Sequence, residues 1–172
     1  MSLNNRFIIP AFLVLCAGAL FAMEKDGLRV EVVPKMLSDN SPPQNTMADS
    51  TPVHEEMGLK ATFRNTSMHD APEGTIEYVV LVQRWGTETG AYSSYKGSEK
   101  LEPIRFGQQV EIDFGKYQIG GHLHGSSDRH KDKLAGWKIV VTQGAKKTEF
   151  AMPQNFDALS ASAKPAKAEK SR

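Results

Sequence analysis

Only one cysteine stands in the 172 residues, Cys16, and it lies inside an apolar run near the N-terminus. The chain therefore cannot close an internal disulfide or build a multi-thiolate metal site. An excess of charge of either sign is also missing, with Lys+Arg 21 against Asp+Glu 20. So balanced a chain has no field to steer it towards phosphate backbones or anionic lipid, which argues against nucleic acid and membrane surfaces as partners. No Gly-x-Ser-x-Gly elbow, phosphate loop or HExxH helix is present, and with them go the commonest sequence signatures of hydrolases, nucleotide-binding enzymes and zinc proteases. Amphipathic helical stretches of useful length are lacking as well.

What is there begins with an address. Met-Ser-Leu-Asn-Asn-Arg supplies a short positive start, residues 7–21 (FIIPAFLVLCAGALF) are uncharged and apolar, and Glu24, Lys25 and Asp26 end the run. The run is shorter than the roughly 20 residues a membrane span needs. Ala17, Gly18, Ala19 and Ala22 are the small residues a signal peptidase accepts. Residues 1–22 read as a cleavable bacterial-type signal peptide cut after Ala22, with export to the periplasm, the outer membrane or the cell surface. Leu15 precedes Cys16 where a lipoprotein leader carries a small residue, so lipidation is not expected. Arg6 is the only charged residue before Glu24, which leaves a mature chain with 20 basic and 20 acidic residues, no thiol and no integral membrane span. Such a domain is held by its apolar core, which a body of roughly 130 residues can supply.

Period-two alternation marks the strands. Residues 28–33 (LRVEVV) set Leu28, Val30 and Val32 against Arg29 and Glu31, and residues 58–65 (GLKATFRN) set Leu59, Ala61 and Phe63 against Lys60, Thr62 and Arg64. Residues 75–85 (TIEYVVLVQRW) carry β-branched and aromatic side chains on both faces, which predicts a central, largely buried strand. Two short strands are expected at 101–106 and 109–114, and a closing hairpin pairs 137–142 with 147–152 around Gly144, free to take the positive φ of a tight turn. Residues 36–53, 86–100 and 115–132 read as long loops, the second holding a short edge strand around Tyr92 to Tyr95, because Ser, Gly, Pro, His and charge replace apolar periodicity there. Residues 157–172, rich in Ala, Ser and Lys, predict a disordered basic tail with Lys164, Lys167, Lys170 and Arg172 against Glu169.

About seven strands without useful helices leave an all-β, two-sheet antiparallel sandwich over residues 23–156, with Trp85 and Trp137 expected in or beside one core. By strand order and spacing the chain resembles the immunoglobulin-like and fibronectin-type sandwiches of bacterial surfaces, including secreted proteins associated with pili. The resemblance implies a role in surface structure or assembly. No cysteine pair brackets a tryptophan, so the antibody hallmark is missing.

Four constellations are candidates for chemistry. In Gly120 to His130, His122 and His124 point the same way on an extended chain, and His130 or Asp128 completes a set suited to Zn²⁺ or Cu²⁺. His54, Glu55, Glu56, His69 and Asp70 group imidazoles with carboxylates, but neighbours on a strand face opposite ways, which favours solvated charge over an acid/base pair. Tyr92 and Tyr95 beside Ser93 and Ser94 have the composition of a binding loop. The basic tail is solubilising, since its spread charges are screened by salt. Together these predict a non-enzymatic interaction or structural protein of the envelope, binding a surface or envelope protein through loops or an open sheet edge. The competing expectation is a periplasmic metal-binding protein using the loop from His122 to His130.

Overall fold

The computed structural model describes residues 21–41, 51–86, 91–124 and 128–166; side chains at 21, 123, 124, 128 and 129 also fall outside the description. The expected leader and the last part of the expected tail thus lie outside the described residues. In chain order the elements are β1 (Phe21–Lys25), β2 (Leu28–Asp39), β3 (Thr51–Asn65), β4 (Gly74–Gln83), β5 (Tyr92–Leu101), β6 (Gln109–His124), β7 (Asp128–Lys131), β8 (Lys133–Gln143), β9 (Lys146–Met152), α1 (Phe156–Ala161) and β10 (Lys164–Pro165). They form two five-stranded sheets, ordered β1-β2-β3-β6-β7 and β10-β5-β4-β8-β9. Every pairing is antiparallel except that of β10 with β5.

The alternation seen in the sequence is what the sheets bury. Val30 and Val32 of β2, Leu59, Ala61 and Phe63 of β3, and Ile76, Val80 and Val82 of β4 share one core with Ile139 and Val141 of β8 and Phe150 of β9. Each such aliphatic or aromatic side chain contributes about 1.5–3 kcal/mol by leaving water. As its composition predicts, β4 is central, and it is buried on both faces at Val80, Leu81 and Val82. Leu81 and Phe156 are both buried, yet neither belongs to the main cluster. Short as it is, α1 packs on β5 and β8, which flank β4 at the level of Leu81, and so covers the outer face of this sheet.

Several expectations are corrected. The described residues hold ten strands rather than about seven, because much of what reads as loop is paired. β5 is a ten-residue strand although it is rich in Ser, Lys and Gly: among the described residues only the two-residue β10 pairs with its outer side, and one face meets water. Within 115–132, β6 runs on to His124 and pairs with β7; Tyr117 and Ile119 are buried between exposed Lys116 and Gln118, an alternation hidden by the glycines that follow. β2 extends to Asp39 and β3 starts at Thr51, which shortens the loop expected over 36–53; residues 42–50 lie outside the description. The strand expected at 101–106 reduces to the end of β5 and one bridge between Ile104 and Ala71. Trp137 is buried in the core, but Trp85 is 44% exposed and lies outside it. At the head of the expected tail stand α1 and β10.

One irregularity shapes the site below. Met57 pairs with Tyr117 but Leu59 pairs with Phe114, so Gly115 and Lys116 together oppose Gly58. Gly115 adopts φ 68°, the left-handed conformation glycine takes at a β-bulge.

Candidate functional site: a tyrosine-floored groove along β5

The parallel partner of β5 is the chain's own C-terminal segment. Lys164 and Pro165 lie opposite Ser93 and Ser94, and the Ala166 N–H donates to the Ser94 carbonyl at 2.9 Å. The Ser94 carbonyl therefore points away from β4. By strand alternation the backbone groups of Lys96, Ser98 and Lys100 share that outward side. Beyond β10 no strand pairs with this side of β5 among the described residues.

A groove of about 560 Å³ follows this edge between the sheets, lined among others by Glu56, Tyr78, Tyr95, Lys96, Lys116 and Tyr117. Tyr78 and Lys116 also line its continuation past Leu37, Leu59, Glu99 and Phe114. The floor is aromatic. Tyr78 of one sheet meets Phe114 of the other with ring centroids 4.8 Å apart, and Tyr95 meets Tyr117 at 6.2 Å. Burial pushes the Tyr117 phenol up to about 12, because the phenolate cannot be solvated there. Gly97 opposes Tyr78 across the ladder, and a Cβ at that position would strike the Tyr78 ring and hydroxyl. Lys116, at the bulge of β6, and Lys96 of β5 are both among the lining residues. Lys96, Lys116 and Glu56 form no ion pair among the described residues, whereas Lys35 is held by Asp113 at 2.6 Å and Lys100 by Glu102 at 3.3 Å and Glu73 at 3.5 Å.

Of the sequence candidates, Tyr95 faces this groove. Its ring packs against the core and its hydroxyl accepts from Arg84 Nη2 at 2.6 Å. Tyr92 is half-buried at the start of β5, opposite Gln83. His122 and His130 are brought face to face across β6 and β7. Both meet Trp85, which stacks on His130 at 5.0 Å and turns its edge to His122 at 6.0 Å. The side chains of His124 and Asp128 lie outside the described residues. Among the described residues no three His, Cys, Asp or Glu side chains gather closely enough to hold a metal ion.

Below this cluster Asp132 accepts from Arg84 Nη1 at 2.5 Å, from the Trp85 N–H at 2.8 Å and from the Gly120 N–H at 3.0 Å. Burial works against the Arg84 charge, but the hydrogen bond to Asp132 and the Tyr95 hydroxyl outweigh it and raise the guanidinium's pKa.

The His and carboxylate group is not assembled. His54, Glu55 and Glu56 lie near the start of β3, His69 and Asp70 beyond its end, and the eleven residue steps from 54 to 65 span about 35 Å. Glu55 is engaged by Lys131 at 2.8 Å, and Asp70 accepts from the Phe106 N–H at 2.9 Å. Sequence reasoning missed Tyr78, Lys96, Lys116 and Tyr117 as a group. The only signal for it is the alternation of Lys116 and Gln118 with Tyr117 and Ile119.

No protein-family model matches this chain, and no curated protein matches it. Among solved structures it is similar to a Northeast Structural Genomics Consortium target, SoR45, at 12% identity and a TM-score of 0.40, covering 74% of this chain and 89% of that one. It is also similar to a protein from Akkermansia muciniphila at 11% identity and a TM-score of 0.36, covering 85% and 84%.

Proposed function

We propose that this chain is an exported, non-enzymatic interaction protein of the cell envelope or surface, of the immunoglobulin-like, pilus- or adhesion-related kind. It binds a protein partner by taking a strand of that partner onto the outer edge of β5. The strand order supports the immunoglobulin-like part. Setting aside the short β1, β7 and β10, one sheet holds the first, second and fifth long strands, and the other is ordered β5-β4-β8-β9. That division of the long strands supports the reading, because immunoglobulin-like sandwiches also keep the third, sixth and seventh strands together on one sheet.

One observation carries the binding mode: β10 already adds itself to β5 in parallel, so the edge accepts a strand in the folded protein. An edge of outward N–H and C=O groups beside an aromatic groove is the chemistry of strand addition.

Ser98→Pro tests this. Proline is tolerated where a strand's N–H faces outward, but it removes that donor from the edge and crowds the incoming chain. The expected result is a folded domain, with unchanged circular dichroism, that no longer recovers the envelope partner captured by the unsubstituted domain. Undiminished capture by Ser98→Pro would remove the edge from consideration.

A second reading rests on the facing imidazoles of His122 and His130, which offer two ligands to Zn²⁺ or Cu²⁺ with His124 next along β6. Calorimetric titration of both metals into the domain and its His122→Ala, His130→Ala double variant decides it. Heats that match between the two proteins dismiss this site.

A further inference from the structure

We infer that His122 and His130 hold a monovalent copper ion, Cu⁺, beside the indole of Trp85. The inference rests on the second reading above, an imidazole site for metal, and names the ion and the residue that covers it. His122 of β6 and His130 of β7 are direct partners across an antiparallel ladder, so both side chains rise from the same face with their Cβ atoms about 4.5–5.5 Å apart. Two imidazoles that close can grip one ion between them, each with one ring nitrogen, leaving the other nitrogen for a hydrogen bond that orients the ring. Trp85, just beyond β4 of the other sheet, stacks on His130 at 5.0 Å and turns its edge to His122 at 6.0 Å. His122 is exposed, which leaves the ion a way in.

The small number of ligands selects the ion. Zn²⁺ takes three or four protein ligands, and Cu²⁺ favours a tetragonal ring of nitrogen and oxygen donors. Among the described residues no third His, Cys, Asp or Glu side chain gathers with this pair. His54 stands on β3 opposite Gly120, two residues along β6 from His122, and does not join them. Cu⁺, with its filled d shell, is satisfied by two ligands in line.

Charge points the same way. Lys131, next to His130, is bonded to both carboxylate oxygens of Glu55 at 2.8 Å, and Asp132 is taken up by Arg84 and the N–H groups of Trp85 and Gly120. Neither carboxylate is left to offset a second positive charge, and the cost of desolvating an ion grows with the square of its charge. A single charge beside an aromatic ring suits the site, because indole attracts a cation without an anion.

The test titrates the purified protein with Ag⁺ as a redox-inert probe, and with Cu⁺ kept reduced by ascorbate without oxygen, in competition with a chromogenic Cu⁺ chelator. A single ion should be retained and should quench the exposed Trp85, while buried Trp137 goes on emitting. The His122→Ala, His130→Ala double variant is expected to lose both retention and quenching at unchanged circular dichroism. Trp85→Phe should keep the ion and lose the quenching, and Trp85→Ala should weaken retention about fivefold, the scale of one cation–aromatic contact. Retention undiminished in the double variant overturns the site. Zn²⁺ or Cu²⁺ bound as tightly as Ag⁺, and lost in the double variant, overturns the choice of ion while the metal reading stands. If none of the four ions binds, the metal reading fails and takes this inference with it.

Discussion

Arg84 closes on Asp132 at 2.5 Å, and the pair ties the two sheets together at the end of the molecule that carries Trp85. Arg84 extends β4 of one sheet and also donates to the Gln118 carbonyl of β6 in the other, at 3.2 Å. Asp132 stands between β7 and β8, and its side chain is only 8% exposed. A carboxylate so placed is stable because three donors surround it.

Removing it should therefore cost more than a surface ion pair does. Asp132→Ala leaves the Arg84 guanidinium and two backbone N–H groups without their acceptor, and is expected to lower stability by about 2–4 kcal/mol. Arg84→Lys should also destabilise, since an ammonium cannot serve Ser93, Tyr95, Gln118 and Asp132 as the planar fork does. Urea denaturation checks both: the midpoint falls at unchanged slope.

Tyr117 predicts an alkaline limit. Its folded pKa of about 12 lies above the ordinary value of 10, so the unfolded chain releases this proton first as pH rises. The burial contributes full stability below about pH 10, and that contribution is lost as pH climbs from about 10 through about 12. The fall in stability between those pH values should be shallower in Tyr117→Phe. Urea midpoints across that range, with tyrosinate absorbance as the monitor, give the comparison; identical slopes for the two proteins would contradict it.

Phe156 predicts a local effect. Its ring holds α1 against the outer face of the β10-β5-β4-β8-β9 sheet, and β10 follows three residues after that helix. Phe156→Ala is expected to cost about 2–3 kcal/mol, less than a main-core Phe→Ala, because a short helix can undock rather than leave a cavity. Amide exchange at Ala166, whose N–H is bonded to Ser94, should quicken far more than exchange in β3.

The all-β nature of the chain was legible wherever one face of a strand is apolar, as at Val30, Val32, Leu59, Ala61 and Phe63. Residues 92–101 hid theirs. An edge strand next to a groove needs few apolar side chains, and Gly97 is small for a reason visible only once Tyr78 lies over it. The facing of His122 with His130 was not readable either, since it depends on the register of β7 against β6. Nor was the groove: Tyr78, Lys96 and Lys116 are far apart in sequence, and sheet packing plus a one-residue bulge brings them together.

The bond from Ala166 to Ser94 also sets up a competition. A visiting strand that reaches as far as Ser94 must first evict a resident, so its apparent affinity is multiplied by the fraction of time that rung stands vacant. A ligand strand that leaves Ser94 uncovered does not break that bond, and the full chain should discriminate by ligand reach.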